Sequence, residues 1–138
     1  MDTNSAVSDT NIFVAALWGG RTCRALLTAL EAKAFTLWIS SAIIAELDDV
    51  LARDKFHQHI STQAIERLHH VLRRRAQWIQ PEEVITLMPD PADNRVLECV
   101  AASAPAALIT GDHALLDIKT FRGTEIMSPS VFLARLNR

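Results

Sequence analysis

Ala107-Leu108-Ile109-Thr110-Gly111-Asp112 sets a short apolar run against an acid. Residues 107–110 favour a strand, and Asp112 follows within two positions. The same arrangement recurs along the chain. Val84-Ile85-Thr86-Leu87-Met88 predicts a strand followed by Asp90 and Asp93. Phe35-Thr36-Leu37-Trp38-Ile39 predicts another, and nearly two turns into the next helix stands Glu46, on a mostly apolar face. Glu125-Ile126-Met127 predicts a fourth. Helical patterns lie between and around these runs: Ile12 to Trp18, stopped by Gly19-Gly20; Thr22 to Lys33; Ala42 to about Arg53, capped by Ser40-Ser41; Ser61 or Thr62 to about Gln77; Asp90-Pro91 to Ala102; and Pro129 to Leu136. Strands alternating with helices predict an α/β layer with a mostly parallel sheet. In such a sheet all strand C-termini lie on one edge, so acids just after strands meet in space.

The tripeptide Asp-Thr-Asn occurs twice, at residues 2–4 and 9–11. Only a lone methionine precedes Asp2, so no strand can present it. Asp9 follows Ser5-Ala6-Val7-Ser8, a poor strand that serves only if the first β element is short. Asp9 is therefore the candidate. Residues 1–7 are expected to form a disordered tail before a single domain over 8–138.

With 138 residues, 49% apolar and 22% charged, the chain is long enough for one domain with a sizeable core. No apolar run approaches the roughly 20 residues of a membrane span, and no secretory signal is visible, so a cytoplasmic protein away from membranes is expected. Cys23 and Cys99 form no CxxC pair and read as buried thiols. Net charge is −2. If Asp9, Glu46, Asp90, Asp93 and Asp112 share one cluster, eleven acids remain against fourteen Lys and Arg, leaving the rest of the surface at +3. The negative sum on its face argues against a nucleic-acid partner, but the distribution matters more and permits an acidic pit within a mildly basic surround.

Each acid also has a purely structural reading. Asp90, Asp9 and Asp112 can cap the helices that follow them, and Asp93 can sit in a first turn beside the positive helix end. Glu46 can belong to a solvated partial face. Together, however, four or five carboxylates on one edge repel unless a cation neutralises them. An all-oxygen donor set suits Mg²⁺ or Mn²⁺, which can activate water for phosphodiester hydrolysis. The residues alone thus point to a metal-dependent acidic site.

These stretches resemble the PIN-domain ribonucleases, in particular the Vap-type toxins of bacterial toxin–antitoxin pairs. The resemblance runs from Ser8 to Asn137, through Asp9-Thr10-Asn11-Ile12-Phe13-Val14-Ala15-Ala16-Leu17, residues 40–51, Asp90-Pro91-Ala92-Asp93-Asn94, Leu108-Ile109-Thr110-Gly111-Asp112 and residues 126–133. It implies a three-layer α/β/α sandwich with a central parallel sheet. It also implies cleavage of single-stranded RNA with one or two Mg²⁺ or Mn²⁺ ions, homodimerisation, and inhibition by a cognate antitoxin protein. The family's acids fall on Asp9, Glu46, Asp93 and Asp112, its hydroxyl residue on Thr110, and its polar partner of the first acid on Asn11. The chain departs from the pattern in its weak Ser5-Ala6-Val7-Ser8 strand and in Ser103-Ala104-Pro105-Ala106 before the last acid-bearing strand.

Arg73, Arg74 and Arg75 could grip RNA phosphates, although a solvated helix face has the same pattern. His57, His59, His69 and His70 lack zinc-site spacing and read as surface groups. His113, beside Asp112, reads as an exposed loop position. Two alternatives stay open. A phosphatase with an Asp nucleophile would want a second Asp where Asn11 stands, and a catalytically degenerate PIN scaffold would bind RNA or a protein without cutting.

Overall fold

The computed structural model describes residues 3–137. Asp2, the acid of the first Asp-Thr-Asn, lies outside the described residues. The elements in chain order are β1 (Ser5–Ser8), α1 (Thr10–Trp18), α2 (Arg21–Glu31), β2 (Thr36–Ile39), α3 (Ser41–Leu51), α4 (Asp54–His57), α5 (Thr62–Arg75), β3 (Ala76–Trp78), α6 (Pro91–Ser103), β4 (Ala107–Ile109), α7 (His113–Leu116), β5 (Thr120–Phe121), β6 (Thr124–Met127) and α8 (Pro129–Leu136). They build one sheet in the order β3-β2-β1-β4-β6-β5. Every pairing is parallel except that of β5 with β6. The chain travels from β1 outward to β3, then crosses back to β4 on the other side. Right-handed crossovers in opposite directions place helices on both faces, which gives the expected three-layer α/β/α arrangement.

The weak run Ser5–Ser8 is the central strand, which corrects its placement in a tail over residues 1–7. Ala6 and Val7 are wholly buried, and β1 pairs with β2 on one side and β4 on the other. The hydroxyls that lower its strand propensity are used locally. Ser5 Oγ accepts from Ala106 N at 3.0 Å, and Ser8 Oγ donates to the Asp9 carbonyl at 3.1 Å. Two ladder neighbours and complete burial override intrinsic preference, which is weak for strands in any case.

Residues 84–88, expected as a strand, have no ladder partner. Side chains of α6 bind their backbone instead. Glu98 Oε2 accepts from Ile85 N at 2.9 Å, and the Asn94 amide bonds both Met88 N and Met88 O at 2.8 Å. Arg95 closes on Glu98 at 2.7 Å and reaches the Ile85 carbonyl at 3.3 Å. Ile85 is buried while Val84 and Leu87 are exposed, so the apolar run reflects one anchor and not a sheet face. The third strand is Ala76–Trp78, read from sequence as the end of a helix to Gln77. The backbone turns extended at Ala76 (ψ 148°), and Ile79 N continues the ladder by donating to the Ile39 carbonyl at 2.9 Å. The β5–β6 hairpin was not anticipated; it turns through Arg122 and Gly123, both at positive φ (50° and 85°).

The other expected boundaries hold within a residue or two. Gly19 ends α1 in the left-handed conformation (φ 113°). The core joins Leu30, Leu37, Ile39, Leu47, Leu97, Leu108 and Phe132, the last meeting Phe35 edge-on at 5.1 Å. Cys23 and Cys99 are free, the second buried. Among the described residues no helix is long and apolar enough to cross a membrane.

Candidate active site

The strand order reverses between β1 and β4, so a crevice opens beyond their C-terminal ends. The next residues of both strands lead into it. Asp9 caps α1, its Oδ1 accepting from Ile12 N at 3.2 Å. Thr110, fully buried, donates its hydroxyl to Asp9 Oδ2 and accepts from Asp112 N at 3.0 Å. One hydroxyl thereby ties the acid after β1 to the acid after β4. Asp112 caps α7 through Ala114 N at 2.9 Å, and Asp90 caps α6 through Ala92 N at 3.0 Å. The structural readings of these acids are therefore correct as far as they go. Capping uses one carboxylate oxygen of Asp90 and of Asp112, whereas Asp9 engages both of its oxygens, one with Ile12 N and one with Thr110.

Asp93, in the first turn of α6, and Glu46, from the middle of α3, complete the walls. The cleft holds about 220 Å³ and is lined by Asp9, Glu46, Asp90, Asp93 and Asp112, with Asn11 at its exposed edge. The structure thus gathers the four sequence-selected acids, together with Asp90. Asn11 lies beside them, and Thr110 lies beneath, bonded to Asp9. It does not bring Arg73, Arg74 and Arg75 there. They end α5 just before β3, at the N-terminal edge of the sheet, with Arg75 Nε 3.7 Å from Glu31. His69 binds Asp48 at 2.8 Å, away from the cleft.

Sequence reasoning missed Arg53, which also lines the cleft. The signal was present: Glu46, Val50 and Arg53 follow i, i+4, i+7 spacing, one stripe of a helix and its extension.

The electrostatics are those of crowded carboxylates. Burial is the main cause of the raised Asp9 pKa; the Thr110 hydroxyl and Ile12 N–H pull it down, and the Asp112 charge adds to the rise. Asp93 is pushed up to about 7 by burial first, then by a hydrogen bond and repulsion from Asp112, with Asp90 and Asp9 adding repulsion. Among the described residues no three His, Cys, Asp or Glu side chains already stand at metal-ligand spacing. Like-charged carboxylates spread, share protons and turn onto local donors, as Asp9 does onto Thr110. The donor set remains all-oxygen and anionic, the chemistry that a hard divalent cation fits.

This charge crowding sets a sign for stability. Asp9 and Asp93 have folded-state pKa values above the unfolded value of 3.8, so the folded protein holds more protons between that pH and about 7. The Asp93 contribution is fully present below pH 3.8 and is lost as pH rises through about 7, and Asp9 acts in the same direction. In chelator-containing buffer, Tm is therefore expected to fall between pH 5 and pH 8, as followed by circular dichroism. A Tm that rises over that interval would contradict the assignment of strain to these two acids.

A parallel α/β sheet with carboxylates gathered at its switch point defines an acidic-site α/β domain. The PIN domain profile matches residues 5–114, which include β1 and all four acids, and the chain belongs to the PIN domain family. Among solved structures, one chain of VapBC2 from Rickettsia felis, crystallised bound to a DNA fragment from their promoter, shares the fold. Its TM-score is 0.62 at 20% identity, covering 90% of this chain and 98% of that chain. No curated protein matches the chain.

Proposed function

We propose that the protein is a divalent-metal-dependent endoribonuclease, acting in the cytoplasm as the toxin of a toxin–antitoxin pair. The observation that carries this reading is the convergence of Asp9, Glu46, Asp93 and Asp112 on one cleft, at the switch point of a PIN fold. Asp9, Asp93 and Asp112 would hold Mg²⁺ or Mn²⁺, with Glu46 holding a second ion or orienting the attacking water. Bound there, the cation would lower the pKa of water and neutralise charge developing on the phosphate. The chain's own residues do the positioning. Thr110 fixes the orientation of Asp9 while bonding the backbone of Asp112, so two carboxylates from different strands keep one spacing. Asn11 stands at the cleft edge beside Asp9, where its amide would bond a bound water or a substrate oxygen. Hydrolysis in line would leave 5′-phosphate and 3′-hydroxyl ends.

The partners in this reading are an RNA substrate, a second copy of the chain and a cognate antitoxin. The antitoxin assignment draws on the fold shared with VapBC2 and on the resemblance of residues 9–17 and 40–51 to Vap-type toxins. The test is cleavage of a long natural RNA by the purified full chain. Activity is expected with Mn²⁺ or Mg²⁺ and none with chelator, with 5′-phosphate product ends. Protein that neither cuts nor binds Mn²⁺ in calorimetry would instead be a degenerate scaffold.

A further inference from the structure

Arg53 is the odd member of the cleft. It shares the walls with five acids, yet no ion pair among the described residues includes it. It is exposed, and the chain turns from it directly into α4, where Phe56 N and His57 N both donate to the Arg53 carbonyl at 2.9 Å. That turn reads Arg53-Asp54-Lys55-Phe56-His57-Gln58-His59, basic and ring-bearing residues around one acid. Lys55 Nζ stands 5.4 Å from the Phe56 ring centroid. The Trp18 ring meets Phe56 edge-on at 5.1 Å and His59 edge-on at 5.2 Å. Trp18 still keeps 45% exposure. Packing at the end of α1 accounts for the ring contacts. It does not account for a half-open indole at the end of a strip that begins with an unpaired guanidinium on the cleft wall.

We propose that this strip is the track by which single-stranded RNA reaches the cleft. Arg53 holds a phosphate next to the scissile bond, and an unpaired base stacks against the Trp18, Phe56 and His59 group. The proposal rests on the ribonuclease reading and adds to it a binding subsite. Charge complementarity and continuity with the cleft favour this occupant. The acidic floor repels a polyanion, so phosphates rest where rim cations stand. Interleaved aromatics add stacking that an unpaired strand can use and a duplex cannot. Arg73, Arg74 and Arg75, at the opposite edge of the sheet, cannot serve that role for the same bound strand segment.

The test measures anisotropy of a short fluorescent oligouridylate with the full chain in chelator, where no cleavage occurs. Arg53→Gln is expected to weaken binding about tenfold and to flatten the log Kd against log salt slope by about 0.7. Arg53→Lys, which keeps the charge, should retain the slope. Trp18→Leu should cost about fivefold or more on the single strand and leave binding of the same length of duplex unchanged. Mn²⁺ affinity without RNA should stay the same in every variant, which separates phosphate binding from neutralisation of the acids. Oligouridylate binding equal to wild type in Arg53→Gln and Trp18→Leu, while wild type cleaves RNA, overturns the track and leaves the ribonuclease reading intact. Retained RNA affinity with loss of a co-expressed protein partner overturns it in favour of a protein-docking face. Wild-type protein that neither binds nor cleaves overturns both readings.

Discussion

Asp112→Asn is expected to lower Mn²⁺-dependent RNA cleavage roughly a thousandfold, about 4 kcal/mol of transition-state stabilisation, while the protein stays folded. Asparagine keeps an Oδ1 that can accept from Ala114 N, so the α7 cap survives. What it removes is the charge. In the proposed site that charge holds the cation. The same substitution removes a repulsive neighbour of Asp93. The metal-free variant should therefore melt no lower than wild type at pH 8. Loss of activity with equal or higher Tm separates a catalytic role from a structural one, and Asp112→Ala should repeat the activity loss. Undiminished cleavage by either pure variant would remove Asp112 from the mechanism.

Thr110→Val should produce the second largest effect. Valine nearly matches threonine in shape but deletes a hydroxyl that serves two bonds in a fully buried position. Asp9 loses the donor that pulls its pKa down, and Asp112 N loses its acceptor. The expected cost is about 1–3 kcal/mol in urea unfolding and roughly 10- to 100-fold in cleavage. The acidic limb of the pH–rate profile should also move to higher pH, because Asp9 must ionise with less help. Thr110→Ser restores a hydroxyl and should recover most of all three readouts. A Thr110→Val profile that keeps its acidic limb would show that the hydroxyl does not act through Asp9.

The parts of the fold legible in the sequence are those where local chemistry and burial agree. Residues 107–109 and 36–39 are mostly apolar runs in a sheet covered on both faces, and Asp90-Pro91 carries a helix start in its own side chains. Legibility fails where partners decide. Ser5–Ser8 is a strand because β2 and β4 flank it, a fact no four-residue window contains. Residues 84–88 have strand-like letters but lie against Glu98, Asn94 and Arg95 of a helix that comes later in the chain. Ala76–Trp78 looked helical because the arginines before it continue a helical pattern up to the strand's first residue. The site was more legible than the sheet. Asp9 and Asp112 follow real strands, whereas the strand assigned before Asp93 does not exist and the first turn of α6 carries Asp93 to the cleft instead. Arg53 is legible only from the helical stripe it shares with Glu46 and Val50, not from the pattern of carboxylates.

The middle rung of the sheet has one further consequence. The four residues that bridge its two halves end on the very carboxylate that opens the cleft. A nascent or partly melted chain lacking that bridge lacks the cleft as well. The acidic cleft is therefore acquired in the same step as the tertiary structure.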